Sequence, residues 1–271
     1  MFSFSLMVKG GLTSNTSIMK KQHITMLAAS VLGAAVANGT LLVHYTFDGG
    51  NAANSGSLNN GTAVGGTTYV EGRSGLAFSG NRLGANDAYI QTGYSGTELG
   101  LGPDSVYTAM AWVNWTGSGG NVDHMVFGQE DGAGNAAMLH HGIRDDSPAN
   151  VHYGGWGNDL NDAGTVVPGE WTHLAFSYDG TDKVVFVNGV ETARQNGGTM
   201  GGHALPVIIG GHGRDAADPA GQSFNGLIDD VKMFDTALDA AGVLAASQGI
   251  PEPSSIGLLA LAGFGLLRRR R

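Results

Sequence analysis

From Tyr107 to Trp115 the chain is apolar on both alternation phases, with Met110 and Trp112 on one and Ala111 and Val113 on the other. Successive side chains of a strand point to opposite faces. The pattern therefore predicts a central strand covered on both sides. Similar short runs recur at 41–47, 124–129, 137–143, 171–178, 207–209 and 227–234. Two more, 183–187 and 190–194, flank Asn188-Gly189, the strongest short hairpin signal. A Gly/Asn/Ser-rich loop fills the stretch from Gly49 to Gly66. One helix is expected near the end, capped by Asp235 or Thr236, with Leu238, Val243 and Leu244 on its buried side. Many short strands separated by turn signals, without βαβ alternation, predict an all-β fold of two antiparallel sheets packed as a sandwich.

The two ends break this pattern. Met19-Lys20-Lys21 precedes an apolar run from Ile24 to Ala37 that closes in Ala35-Val36-Ala37. A basic start, a short apolar stretch and small residues at the −3 and −1 positions are the marks of a secretory signal. Ala35 and Ala37 are the expected processing residues, residues 1–37 the signal peptide, and Met19 an alternative start. At the other end Pro251-Glu252-Pro253 is followed by apolar residues from Ile256 to Leu267, then by Arg268 to Arg271. An apolar core of 12 residues is short for a span, which takes about 20. The arginines stop it on the cytoplasmic side. This order resembles the PEP-CTERM sorting signal of Gram-negative bacteria. The resemblance implies an exosortase-type processing enzyme as partner and transient membrane residence of residues 250–271. It also implies export to the outer surface or extracellular matrix.

Composition narrows the middle, residues 38–249. Gly supplies 46 of 271 residues with no fixed period, which suits many turns and excludes collagen. Setting aside the basic residues at both ends and Glu252, seven basic side chains face 22 acidic ones, a net charge near −15. Such a field repels nucleic acid and attracts cations. With no cysteine, disulfides, thiolate catalysis and Cys-based zinc sites are excluded.

Several segments in order carry a second resemblance. They are His44-Tyr45-Thr46-Phe47-Asp48, Gly75-Leu76-Ala77-Phe78-Ser79-Gly80 and the 107–113 strand. Trp171 to Gly180, Val184 to Gly189 and Phe224 to Val231 complete the set. Together they are similar to the LamG-like, or concanavalin A-like, jelly-roll sandwiches. The resemblance implies a two-sheet jelly roll over residues 41–247. It also implies a structural calcium ion, as many members bind one, and Ca²⁺ takes carboxylate and carbonyl oxygens. First and last strands lie together in that fold, which would place Asp48 near Asp229 and Asp230 as calcium ligands.

Glycosidases of this fold set two carboxylates about 5 Å apart on one strand face. The residues two after Glu71, Glu98, Glu130, Glu170 and Glu191 are Arg73, Gly100, Gly132, Thr172 and Ala193, so no Glu-x-Asp pair exists. Asp229-Asp230 are neighbours, which a regular strand points to opposite faces. His141, Arg144 and Tyr153 have the residue types of sandwich-fold lyases but read more simply as solvent-facing strand positions. No metal-ligand histidine spacing is present. Trp156, in a Gly-rich loop beside Asn158 and Asp159, has the makings of a sugar-stacking surface.

The chain thus reads as a non-catalytic binding or adhesion module directed at an extracellular polysaccharide or surface glycan. A polysaccharide lyase, a glycoside hydrolase or a purely structural matrix protein are the alternatives, because fold alone does not choose.

Overall fold

The computed structural model describes residues 39–80, 88–96, 98–99, 105–117, 123–129, 139–145, 149–154, 158–197, 206–211 and 223–249. Both alanines of the expected processing site (Ala35, Ala37) and the whole Pro251-Glu252-Pro253 motif lie outside these residues.

The first five strands are β1 (Leu41–Tyr45), β2 (Thr62–Val64), β3 (Thr68–Glu71), β4 (Leu76–Gly80) and β5 (Tyr89–Ser95). Then come β6 (Tyr107–Trp115), β7 (Asp123–Gln129), β8 (Leu139–Arg144), β9 (Asn150–Gly154) and β10 (Trp171–Tyr178). The chain continues through β11 (Asp182–Val187), β12 (Val190–Asn196), β13 (Pro206–Ile209), β14 (Gly226–Phe234) and helix α1 (Ala240–Ser247). One sheet runs β12-β11-β10-β6-β14-β4-β3, with β1 also on β14; the other runs β2-β5-β13-β7-β8-β9. Neighbouring strands in both sheets pair antiparallel.

The two faces of β6 behave as its pattern predicts. Ala109, Ala111, Val113 and Trp115 join the core between the sheets, with Phe78, Phe127, Phe176 and Ile228. Met110 points outward into a smaller cluster with Phe186, Phe234, Leu238 and Val243, where α1 covers the sheet. The Asn188-Gly189 hairpin also forms, with φ of 52° and 80° at the two turn residues. Both positive values are what a two-residue turn matched to strand twist requires.

The helix begins later than its sequence suggests. Asp239, not Asp235 or Thr236, is the cap, its carboxylate accepting from the Gly242 N–H at 2.8 Å. Asp235 instead accepts from the Thr40 N–H and so fastens the entry to β1. Leu238 is buried ahead of the helix, while Leu244 remains 43% exposed, outside the buried face expected of it. Likewise β1 stops at Tyr45 rather than Phe47, because Phe47 turns the chain with a φ of 59°. Its buried ring packs against Tyr45, Tyr69 and Phe78, which holds the left-handed conformation in place.

Candidate functional site

Strand β14 has β6 along one edge. On its other edge Gly226, Leu227 and Ile228 pair with β4, and Val231 to Phe234 pair with β1. Asp229 and Asp230 fall in the gap between those partners. The ladder to β6 slips between Asp229 and Lys232, and Asp230 has a φ of 49°. A bulge of this kind re-aims side chains. It overturns the expectation that adjacent acids on a strand diverge: Asp229 and Asp230 line one cavity of about 180 Å³. Asp48, Arg73, Trp112 and Gln248 complete its chemically distinctive wall.

Each acid holds part of the wall. Asp229 Oδ2 accepts from the backbone N–H groups of Arg73 at 3.0 Å and Ser74 at 3.2 Å. Asp48 Oδ1 accepts from the Leu76 N–H at 3.0 Å. Together they pin the turn from Gly72 to Gly75, itself closed by a Gly72 N–H to Gly75 carbonyl bond of 2.9 Å. A Cβ on Gly72 would sit 2.8 Å from Asp229 Oδ2, so the carboxylate needs a glycine there.

Asp230 accepts from His44 Nε2 and from Lys232 Nζ, each at 2.6 Å. The Lys232 ammonium also donates to the Ala246 carbonyl at 2.9 Å, and Trp112 Nε1 donates to the Ser247 carbonyl at 3.2 Å. These satisfy carbonyls that the last turn of a helix leaves unpaired. Over the Trp112 ring lies the Arg73 guanidinium, 3.7 Å from the centroid. Behind the ring the buried His173 makes an edge contact, with centroids 5.2 Å apart.

Environment separates the two neighbouring acids. Burial raises the Asp229 pKa, and its backbone hydrogen bonds offset only part of that. Burial also acts upward on Asp230, but the His44 hydrogen bond and Lys232 outweigh it and hold the carboxyl below its ordinary value. Burial first, then Lys232, pushes His173 down to about 3.

The three acids expected to share calcium therefore do meet at one cavity, through the β1–β14 pairing. They do not converge as a ligand set. Asp229 is bonded to backbone N–H groups and Asp230 is already neutralised by Lys232. Among the described residues no group of three or more His, Asp or Glu is placed to hold a metal ion.

Of the expected sugar surface, Asn158 and Asp159 fall among the described residues. Trp156 is outside the described residues. The Asn158 side chain donates to the Gly197 carbonyl and accepts from Gln195 Nε2 at 3.1 Å, and its own carbonyl accepts from Lys183 Nζ. Burial lowers the Lys183 pKa to about 8, with Asp159 acting against the shift. Asn158 thus staples its segment to the β11–β12 hairpin.

His141, Arg144 and Tyr153 are not solvent-facing together. His141 Nε2 and the Tyr153 hydroxyl both bond the Tyr107 hydroxyl, at 2.8 and 2.6 Å, between the sheets. All three rings are buried, and burial holds His141 well below and Tyr153 well above their ordinary pKa values. Arg144 lies on the opposite face of β8, bonded to Asp123 at 2.7 Å and to Asn161 Oδ1 at 2.8 Å. Asn161 Oδ1 also accepts from His152 Nδ1 at 2.7 Å. His152 Nε2 then accepts from His140 Nδ1 at 3.0 Å. Gly154 makes room for that pair, since a Cβ there would lie 2.2 Å from His152 Nε2. This closed network fastens the outer face of the second sheet.

Two antiparallel sheets packed face to face define the fold as a jelly-roll β-sandwich. The chain belongs to the Concanavalin A-like lectin/glucanases superfamily, which it matches over residues 80–244. Residues 249–271 match the PEP-CTERM protein-sorting motif, the mark of an exported protein handled by exosortase. A search of curated proteins finds no match. Among solved structures, domain 4 of AbnA, an extracellular arabinanase from Geobacillus stearothermophilus, was determined in complex with arabinotriose. It superposes with a TM-score of 0.58 at 22% identity, over 77% of this chain and 98% of that one. The binding domain of Paraclostridial Mosquitocidal Protein 1 gives a TM-score of 0.56 at 14% identity over 76% of this chain. That of Botulinum Neurotoxin DC in complex with SialylT gives 0.56 at 9% over 78%. The chain spans about half of those two, 51% and 52%. At these identities the likeness is one of fold. Among the described residues no helix is long and apolar enough to cross a membrane.

Proposed function

We propose that the chain is a non-catalytic carbohydrate-binding module, carried to the outer surface or extracellular matrix and released there from a C-terminal tail. The observation that carries this reading is the cavity at the β14 bulge. An indole, a guanidinium, carboxylates and the Gln248 amide surround a space of about 180 Å³. An aromatic face with convergent hydrogen-bonding groups is the chemistry of a sugar site. The solved complex of AbnA domain 4 with arabinotriose supports the same ligand class. A glycan array with the exported chain, with and without Ca²⁺, tests the reading. It expects retention of a defined glycan and its loss in Trp112→Ala. No retained glycan in either buffer rejects it.

One observation favours a hydrolase instead. Neighbouring carboxyls whose pKa values are driven apart resemble an acid and base pair, and Asp229 and Asp230 are so driven. Against it, Asp229 is held by backbone N–H groups and Asp230 by two side chains, so both already have partners. A reducing-end assay on the retained glycan separates the two: product that disappears in Asp229→Asn means an enzyme.

A further inference from the structure

Three side chains on the cavity wall carry donors that no described residue accepts: the Arg73 guanidinium, the Ser74 hydroxyl and the Gln248 amide. All three residues are exposed. The carboxylates of the same cavity already have partners within the protein. Asp48 takes the Leu76 N–H, Asp229 takes those of Arg73 and Ser74, and Asp230 takes His44 and Lys232. Arg73 is also firmly placed. Its turn between β3 and β4 is fixed by its own N–H on Asp229, and its guanidinium carbon lies 3.7 Å from the centroid of the Trp112 ring. That is van der Waals contact. A guanidinium resting on an aromatic face keeps its in-plane N–H groups free for a planar acceptor.

We propose that the glycan bound at this cavity is acidic, and that Arg73, seated on Trp112, receives its carboxylate or sulfate group. The proposal rests on the carbohydrate-binding reading of the cavity. Neutral and acidic sugars meet different surfaces there. The Arg73 guanidinium covers one face of the Trp112 ring, and both groups line the cavity. His173 reaches the same ring from β10, on the side of β6 away from β14 and β4. A neutral pyranose stacking on the covered face would have to displace the guanidinium. An anionic group instead approaches the guanidinium edge and leaves the stack intact, with two parallel N–H···O bonds open to it. Ser74 and Gln248 add neutral donors on the same wall. The acidic surface of the domain does not cancel this selection. Charges more than about 8 Å away are largely screened at physiological ionic strength, and Asp230 is neutralised within the wall by Lys232 at 2.6 Å. The cavity, about 180 Å³, is smaller than the pockets of about 300–1,000 Å³ that enclose a drug-sized ligand. It therefore takes one acidic residue of a glycan rather than a length of chain.

Calorimetric titration of the exported chain tests this with the acidic glycans of the array and their neutralised forms. Oligogalacturonate against its full methyl ester is one such pair, and a sulfated galactan oligosaccharide against its desulfated form is another. An acidic glycan is expected to bind at least about tenfold tighter than its neutral form, and the pair that shows the difference tells carboxylate from sulfate. Arg73→Gln is expected to abolish that preference. Arg73→Lys, which keeps the charge without the fork, should recover only part of it. The Arg73 side chain makes no hydrogen bond among the described residues, so melting temperatures close to the parent's are expected and show that the fold is kept. Equal binding of acidic and neutral forms overturns the proposal, as does an acidic preference that Arg73→Gln leaves unchanged. The array keeps the two readings apart. Retention of neutral glycans alone removes the acidic ligand and keeps the carbohydrate reading, whereas an array with no retained glycan of either kind removes both.

Discussion

Lys232 Nζ lies 2.6 Å from Asp230 Oδ2, and the same ammonium caps the Ala246 carbonyl. Sheet, bulge and helix end are tied by this one side chain, which is itself 6% exposed. Lys232→Met keeps the volume but leaves Asp230 with His44 alone. Removing one partner of a largely buried pair is expected to cost about 3 kcal/mol. Urea unfolding at neutral pH measures it, and His44→Gln in the same background reports whether the two donors act on Asp230 independently.

Gly75 adopts a φ of +71°, and a Cβ there would fall 1.8 Å from Asp48 Oδ1. Gly75→Ala is therefore expected to destabilise by about 1–2 kcal/mol, from backbone strain together with displacement of Asp48 from the Leu76 N–H. Gly50 has a similar φ of +66° with no atom within 4 Å, so Gly50→Ala isolates the strain component. Thermal melts of both variants give the difference.

Trp112 contributes a ring to the cavity and a hydrogen bond to the helix end. Trp112→Phe retains a ring face and loses the bond to Ser247, an expected loss of about 1 kcal/mol. Glycan binding should survive in Trp112→Phe and vanish in Trp112→Ala if the ring face is what the ligand uses. Equal loss in both would assign the effect to the displaced helix end.

Acid is expected to weaken the fold. Burial pushes His152 down to about 4, aided by His140 and Arg144, and His173 to about 3. The unfolded chain takes up those protons near the free value of 6.5, before the folded chain does. Stability from these groups is full above pH 6.5 and is lost progressively as the pH falls toward 4 and below. Asp230, held low, adds to the loss at more acid pH, while the raised Asp229 opposes it. The melting temperature should drop by at least about 5 °C between pH 7 and 4.5. His152→Gln should flatten part of that slope.

Much of the scaffold was legible because its apolar spacing is regular. The ends of β6 and β10 fall where alternation places them, and the Asn188-Gly189 turn forms as its residue types require. Strands β2 to β5 and β9 carry no clear alternation signal: β2 lies inside the stretch from Gly49 to Gly66 expected as loop, and buried Thr92 in β5 and His152 in β9 interrupt the apolar pattern with polar side chains bonded only in the fold. The cavity was legible only in part. The pairing of first and last strands brought Asp48 toward Asp229 and Asp230, as the resemblance implied. Arg73 and Trp112 gave no local signal, since their stacking joins residues 39 positions apart in the chain. The shared orientation of Asp229 and Asp230 depends on a left-handed residue that composition does not announce. A non-glycine φ of 49° at an Asp inside an apolar strand becomes visible only once the ladder is traced.

That extra residue also changes the parity of β14. Ile228 faces the inter-sheet core before the bulge, and Val231 and Met233 face it afterwards, so even positions give way to odd ones. Lys232 and Phe234 are sent to the helix side by the same inversion. If Asp230 stayed and the bulge were smoothed out, strict alternation from Ile228 would turn Lys232 inward and Val231 and Met233 outward, exchanging greasy and charged surfaces over half a central strand. One residue thus acts as a phase shifter, matching a strand written in two different frames to a single pair of faces.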